Sequence, residues 1–496
     1  MSGLIAISLC AIGVAVLFHL NRDKSVRNSK ALWLPVLWIG VASSRSVSEW
    51  LGLSSPSGLQ GTLEGSPVDA AVFAVLMLIG VGILIARKRK TVAYLPLITP
   101  IVIYSVYCLL SVSWAPYHLP AFKRWTKDVG DVVMALIVVT DPQPLVAIRR
   151  LFSRLGFVLL PFSIVLIRYS TMGRAWDDAG NLAIVGVTTN KNMLGLTCFL
   201  LTLGTFWNFR WLFVNRAEPN RSRKMAAHGI IIACGMYLLY LAHSSTSSSC
   251  CILGSCIILA TNLRAMKQRP SRVHALCLAI VLAGGGAVAF GGMGDVAGAL
   301  GRDASLSGRT FMWSAMLGAV TSPIIGVGFD SFWTSPNAET FHNTLKLLHW
   351  YYPESINEAH DGYLEVFLNL GWIGVCLISL ILVTGYLRAV GSLRRHREAA
   401  SLMLAIIMCA AIYSITEAGF RTLNPIWILT LLAIISASGI KAGLFADGVR
   451  VGSVGRGKAV FVQEELKRQS VYGINEVGTS PSRRTAQRAS SSLELR

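Results

Sequence analysis

The chain has 496 residues, 53% of them hydrophobic and only 14% charged, with a mean hydropathy of +0.56 and a net charge of +20. These values exclude an array of soluble domains and make lipid the solvent for most of the chain. The charge does not point to nucleic acid, because the basic residues sit mostly in short loops between apolar runs and not on one face with stacking aromatics.

In chain order, helices are expected at 3–20, 31–48, 68–86, 93–113, 129–140, 152–167, 193–214, 226–242, 248–263, 273–294, 363–387, 401–416 and 425–445. The clearest runs, such as 68–86 and 273–292, hold about 20 nearly uncharged residues, the length a helix needs to cross roughly 30 Å of hydrocarbon. None shows the apolar/polar alternation of a barrel strand. The fold class is therefore an all-α polytopic membrane protein with roughly 12–13 transmembrane helices. The first run has no basic segment ahead of it and is followed by Arg22, Lys24, Arg27 and Lys30, so it reads as a helix and not as a cleaved signal. The ten cysteines lie mostly inside apolar runs, as Cys250, Cys251, Cys256 and Cys277 do, which suits packing and not a disulfide framework or a metal site.

Lysine and arginine set the expected topology. Loops 21–30, 87–92, 141–150, 215–225, 264–272 and 388–397 together carry 22 of them, whereas the longer alternate loops 49–67, 114–128, 168–192, 243–247, 295–362 and 417–424 carry 10. The first set is expected in the cytoplasm and the second outside, with the N-terminus external and the C-terminus cytoplasmic. The organisation expected is N-terminal membrane helices over 1–294, a large extracytoplasmic loop over 295–362, C-terminal membrane helices over 363–445, and a disordered, basic, serine-rich tail over 446–496.

The 295–362 loop is where chemistry is expected, since long loops between helices are usually functional. Ser307-Gly308-Arg309-Thr310 leads into a helix running to about Val320, with Phe311, Trp313, Met316, Leu317 and Val320 placed to lie along a membrane surface. Pro323 and the glycines of Gly326-Val327-Gly328 break it; a lone GxG without flanking parallel strands is no nucleotide site. His360, in Asn357-Glu358-Ala359-His360-Asp361-Gly362, stands where the chain re-enters the bilayer. It can act as a general base near neutral pH, and it equally fits a helix cap or an interface position. Arg309 can hold phosphate bidentately, or anchor a surface helix to lipid phosphates.

A resemblance bears on these alternatives. Gly308-Arg309-Thr310…Trp313, Pro323…Gly326-Val327-Gly328…Phe332, His360-Asp361-Gly362-Tyr363-Leu364 and Gly371…Gly374 resemble the large outer loop and following helix of the O-antigen ligase/polymerase superfamily, which includes exopolysaccharide polymerases. Val187-Thr188-Thr189-Asn190-Lys191-Asn192 and Ser113-Trp114-Ala115-Pro116, with Lys123 and Arg124 beyond, resemble its other motifs, and the likeness covers most of 90–435. It implies a C-type membrane glycosyltransferase without metal or cofactor, with an undecaprenyl-diphosphate-linked oligosaccharide as donor and a polysaccharide or lipid-linked acceptor. Membrane lipids surround such an enzyme, and a flippase and a chain-length regulator are candidate protein partners. By the same resemblance His360 deprotonates the acceptor hydroxyl and Arg309 holds the donor diphosphate, whose leaving charge needs fixed cations. Arg124, Arg174 and Lys191, on the same expected face, are further candidates for substrate binding, and each also reads as an interface anchor. Ligases of the family commonly carry an arginine after the helix ending here near Ala242; this chain has His243-Ser244-Ser245-Thr246 instead, a departure that favours the polymerase branch. A transporter or lipid flippase is the competing class, but related halves and mid-span charges are not seen, and no GxSxG or HExxH motif supports a protease.

Overall fold

The computed structural model describes residues 3–23, 29–53, 63, 65–176, 182–268, 271–291, 305–347 and 356–445. The tail expected after 445 and residues 292–304 of the long loop lie outside them. The principal helices are α1 Gly3–Leu20, α2 Trp33–Ala42, α3 Pro67–Ala86, α4 Thr99–Ser111, α5 His118–Val139, α6 Pro144–Tyr169, α7 Lys191–Val214, α8 Arg221–Ala242, α9 Ser245–Thr261, α10 Ser271–Gly291, α11 Ser305–Gly318, α12 Pro336–Leu347, α13 Gly362–Ser392, α14 Arg397–Tyr413 and α15 Pro425–Ala442. A two-stranded antiparallel hairpin, β1 Arg174–Trp176 with β2 Leu182–Ile184, interrupts them between α6 and α7.

Each of the thirteen expected helices has a counterpart, and the chain is an all-α, multi-pass membrane protein. Among the described residues six helical stretches are long and apolar enough to cross a bilayer: 67–86, 88–114, 144–169, 221–242, 362–392 and 425–442. By sequence the runs at 129–140 and 248–263 are short for a full span; α9, the counterpart of the second, has 17 residues, the first belongs to a helix of 22, and α2 is shorter than expected at 10. Two starts are corrected. The helix expected at 129–140 begins at His118, and that expected at 152–167 begins at Pro144, where proline suits the first turn. Charged residues in 118–131 mimic a loop in sequence, but several are paired inside the bundle.

Caps fix the helix starts near the outer loops. Asn190 Oδ1 accepts Met193 N at 2.8 Å, Asp361 Oδ1 accepts Tyr363 N and Leu364 N at 2.8 Å each, and Asn424 Oδ1 accepts Ile426 N at 3.1 Å ahead of Pro425; each such cap stabilises its helix by about 1 kcal/mol. The core runs through α7, α14 and α15, with Ala399 to Ala410 buried without interruption, while α3 turns Val75, Leu78 and Ile85 outward as a lipid-facing helix does.

The polar contacts sort the loops into two ends. At one, Arg87 reaches Ser29 Oγ (2.8 Å) and Asp141 (3.7 Å), Lys224 pairs with Asp23 (2.9 Å) and Glu218 (2.8 Å), and Arg397 Nη1 donates to Thr261 O (2.6 Å). There Arg149 pairs with Glu398 and lies between Trp207 and Trp211, 4.3 and 4.1 Å from their rings. These contacts join the connections 21–30, 87–92, 141–150 and 215–225 directly, and bring 388–397 and the end of α9, which leads into 264–272, to the same end. The alternate loops meet at the other end, where Arg45, Asn192, Thr246, Arg309 and Arg124 link them to one another.

Two features shape that second end. Inside α13 the backbone breaks at Gly371 (φ 64°, ψ −165°), and the segment 323–328 packs against the gap. Trp372 N donates to Pro323 O (2.9 Å), Gly328 N to Asn369 O (2.9 Å) and Tyr107 Oη–H to Leu370 O (3.0 Å), so the freed backbone groups are satisfied by protein. A Cβ on Gly326 would stand 2.3 Å from Asn369 O, and one on Gly371 2.2 Å from Ile324 O. In addition, the described part of the long loop has a core of its own, in which Met312, Met316, Phe332, Phe341 and Leu345 pack with Ala359 and Leu368. The surface helix expected there is therefore partly turned inward: Met316 is buried and Trp313 Nε1 donates to Ala359 O (2.7 Å), while Phe311 and Leu317 remain exposed.

Candidate active site

The site is assembled from three pieces: the start of α11, the strand-like approach to α13 at 356–361, and the turn 414–424 between α14 and α15. Ala359 is clamped first. Its N–H donates to Glu365 Oε2 (2.9 Å) and its carbonyl accepts Trp313 Nε1, while Glu365 Oε1 accepts Trp333 Nε1 (2.8 Å). With Ala359 held, His360 is forced into the left-handed region at φ 49°. Asp330 (φ 46°) and Leu423 (φ 58°) flank the same site in that region, where non-glycine residues persist only when their surroundings over-determine them.

Glu417 is the meeting point. Its carboxylate lies 3.5 Å from His360 Nδ1 and 3.4 Å from Arg309 Nη2, and both oxygens accept Asn192 Nδ2 at 3.4 Å. Arg309 Nη1 also donates to Thr416 O at 2.7 Å. Glu358 Oε1 stands 3.0 Å from His360 Nδ1, and its other oxygen 3.6 Å from Arg421 Nη1. Neither carboxylate meets Nδ1 along a hydrogen-bond direction, so these contacts with the ring are ion pairs. Burial alone would lower the His360 pKa, but Glu358 and Glu417 outweigh it and push it up to about 9. Glu358 in turn is held below its ordinary value: burial opposes its charge, and His360, Arg421 and Arg309 more than compensate. His360 is thus an imidazolium near neutral pH in this arrangement, not the ring of ordinary pKa that its sequence position suggests.

The remaining expected residues divide. Arg124 joins a neighbouring cluster, its guanidinium on the carbonyl oxygen and, at 3.8 Å, the carboxylate of Asp330. Asp330, Glu365 and Arg421 line an adjoining cleft of about 290 Å³ with Tyr104 and Phe420. Lys191 is exposed on the first turn of α7, beside the Asn192 that touches Glu417. Arg174 is exposed on β1 and donates from Nε to Ile167 O (3.0 Å), which ties it to the end of α6. From sequence, Glu417 and Arg421 in the last outer turn read as an ion pair or as cavity lining, and Glu358, two residues before His360, carries no reading of its own. The signal for Glu358 is local spacing; Asn192 stands in the 187–192 segment that resembles a family motif, but nothing in the sequence pairs it with Glu417. Glu358, His360 and Glu417 each bring one ligand atom within 4.8 Å of the others, a spacing a cation could bridge, but Arg309 and Arg421 already balance their charge.

Residues 229–379, which include Arg309, His360 and the break in α13, match the family described as O-Antigen ligase (Wzy_C). The chain is 26% identical over 303 residues to the Exopolysaccharide production protein ExoQ of Rhizobium meliloti (strain 1021), across 59% of this chain and 64% of that protein, so the likeness spans somewhat under two thirds of the relative's length.

Proposed function

From the match of residues 229–379 to the O-Antigen ligase family and the likeness to an exopolysaccharide production protein, we propose that the chain is a member of the O-antigen ligase/polymerase superfamily and a glycosyltransferase that uses an undecaprenyl-diphosphate-linked oligosaccharide as donor, without a metal, for surface polysaccharide synthesis. The observation that carries this reading is the convergence of His360 and Arg309 on Glu417 at the end of the bundle poorest in loop lysine and arginine. The acceptor hydroxyl attacks the anomeric carbon, the bond from that carbon to the diphosphate oxygen breaks, and the hydroxyl proton passes to the His360–Glu417 pair. Arg309, with donors beyond those given to Thr416 and Glu417, receives the charge developing on the diphosphate; Lys191 and Arg124 extend the cationic rim.

The high pKa of His360 favours a second assignment of roles, in which its imidazolium joins Arg309 on the leaving diphosphate and Glu417 takes the proton. The lysine/arginine-rich end faces the cytoplasm and the site the periplasm of a bacterial inner membrane. The Ser/Thr sequence at 244–248, which reaches the site through Thr246 on Thr416 at 3.0 Å, supports polymerisation over ligation, and the growing polysaccharide is then the acceptor, with a flippase and a chain-length regulator as partner proteins. Gene deletion followed by sizing of surface polysaccharide is the test. A polymerase leaves single repeat units, whereas finished chains stranded on the lipid carrier would mean ligation. His360→Ala or Arg309→Ala should reproduce the deletion with the protein still inserted; normal polymer from either variant would overturn the reading.

A further inference from the structure

Asp131 lies on α5 behind the site, fully buried, and its carboxylate takes two donors from different elements. Trp38 Nε1 on α2 donates to Oδ1 at 2.7 Å, and the backbone N–H of Leu423 to Oδ2 at 3.1 Å. Leu423 is a bulky residue at φ 58°, a conformation that needs an outside hold. The residue after it closes the turn: Asn424 N donates to Arg421 O (3.1 Å) and Asn424 Nδ2 to Ala418 O (3.2 Å), next to Glu417. The far flank is tied by Gly362 N to Ser414 O at 2.7 Å. Asp128, one helical turn earlier, receives Trp427 Nε1 at 3.1 Å and makes no described bond to the turn. Charged groups inside a membrane bundle are expensive, and they persist where they do work that an apolar residue cannot.

We infer that Asp131 is a positioning residue of the candidate site: through the Leu423 N–H it sets the turn that holds Glu417 against His360. Its meaning for glycosyl transfer rests on the reading above, but its test does not. The charged groups around His360 are Glu358 from its own segment, Glu417 and Arg421 from the turn, and Arg309 from α11, while the carboxylate of its neighbour Asp361 caps α13. Of these, Glu417 and Arg421 ride on the turn that Asp131 holds.

The experiment follows ring-labelled histidine by NMR in the full chain in lipid nanodiscs without substrate, with the His360 signal identified by its loss in His360→Gln. The wild type should titrate near 9. Asp131→Leu, which removes both acceptors, should titrate at least one pH unit lower as Glu417 leaves Nδ1. Trp38→Phe, which removes only the other bond, should leave the titration in place. Should Asp131→Leu fail to accumulate, Asp131→Asn, with one acceptor oxygen for two donors, should move it the same way by less. An unmoved titration in the Asp131 variants, or an equal movement in Trp38→Phe, would overturn the inference. Inactive His360→Ala enzyme with unmoved titration in Asp131→Leu would sink this inference alone; an Asp131 effect on titration with active His360→Ala enzyme would sink only the transfer reading.

Discussion

His360 gains its proton affinity from Glu358 and Glu417, so folding raises its pKa from about 6.5 to about 9. The stability this contributes is complete below the unfolded value and is lost as pH rises through the 6.5–9 window. The apparent melting temperature of the purified protein should therefore fall between pH 7 and pH 10, with a flatter fall in His360→Gln; equal slopes would show that the ring does not carry the linkage. The same pKa separates the two role assignments. A rate of transfer that climbs towards pH 9 marks His360 as the base, and one that declines there marks its imidazolium as the electrophile. At this scale the sequence told part of the story. Residue types and spacing picked out His360 and Arg309, but not the protonation state, because Glu417 lies 57 positions further along the chain than His360 and only folding brings it within 3.5 Å.

The interrupted α13 shows where reading elements from a sequence runs out. Hydropathy over 363–387 is continuous, so periodicity gives one unbroken helix, and Gly371 resembles any other glycine in a membrane helix. What distinguishes it is its partner: Gly326 approaches from more than forty residues away, and each leaves no room for a Cβ beside the other's neighbouring carbonyl. Gly371→Ala should therefore be far more damaging than Gly82→Ala on α3, where the added methyl meets open space. A loss of about 2 kcal/mol or more in stability or of most activity is expected for the first and little change for the second; comparable behaviour of the pair in a thermal assay would contradict the close packing. By contrast, the starts of α7, α13 and α15 were open to local reading, since Asn190, Asp361 and Asn424 are residues whose short side chains cap helices.

Across the molecule, the alternation of lysine and arginine among the loops was legible because it depends on composition alone, and the contacts gather the two sets at opposite ends. Which end faces the cytoplasm is decided by the membrane and not by packing. In cells, cysteines placed at Ser307 and at Arg216 should differ: a membrane-impermeant maleimide should label the first in intact spheroplasts and the second only after lysis, and the reverse pattern would invert the proposed topology.

The small core around Met312, Phe341 and Leu345 has a consequence for heat. Arg309 and His360 are carried by the segments that form that core, whereas Glu417 belongs to the helical bundle, so the reacting groups straddle a small and a large hydrophobic core within one compact unit. On warming, those segments should come away before the bundle opens. Enzymatic inactivation should then precede the loss of far-ultraviolet helicity, and cooling from that intermediate range should restore activity without any refolding of the membrane helices.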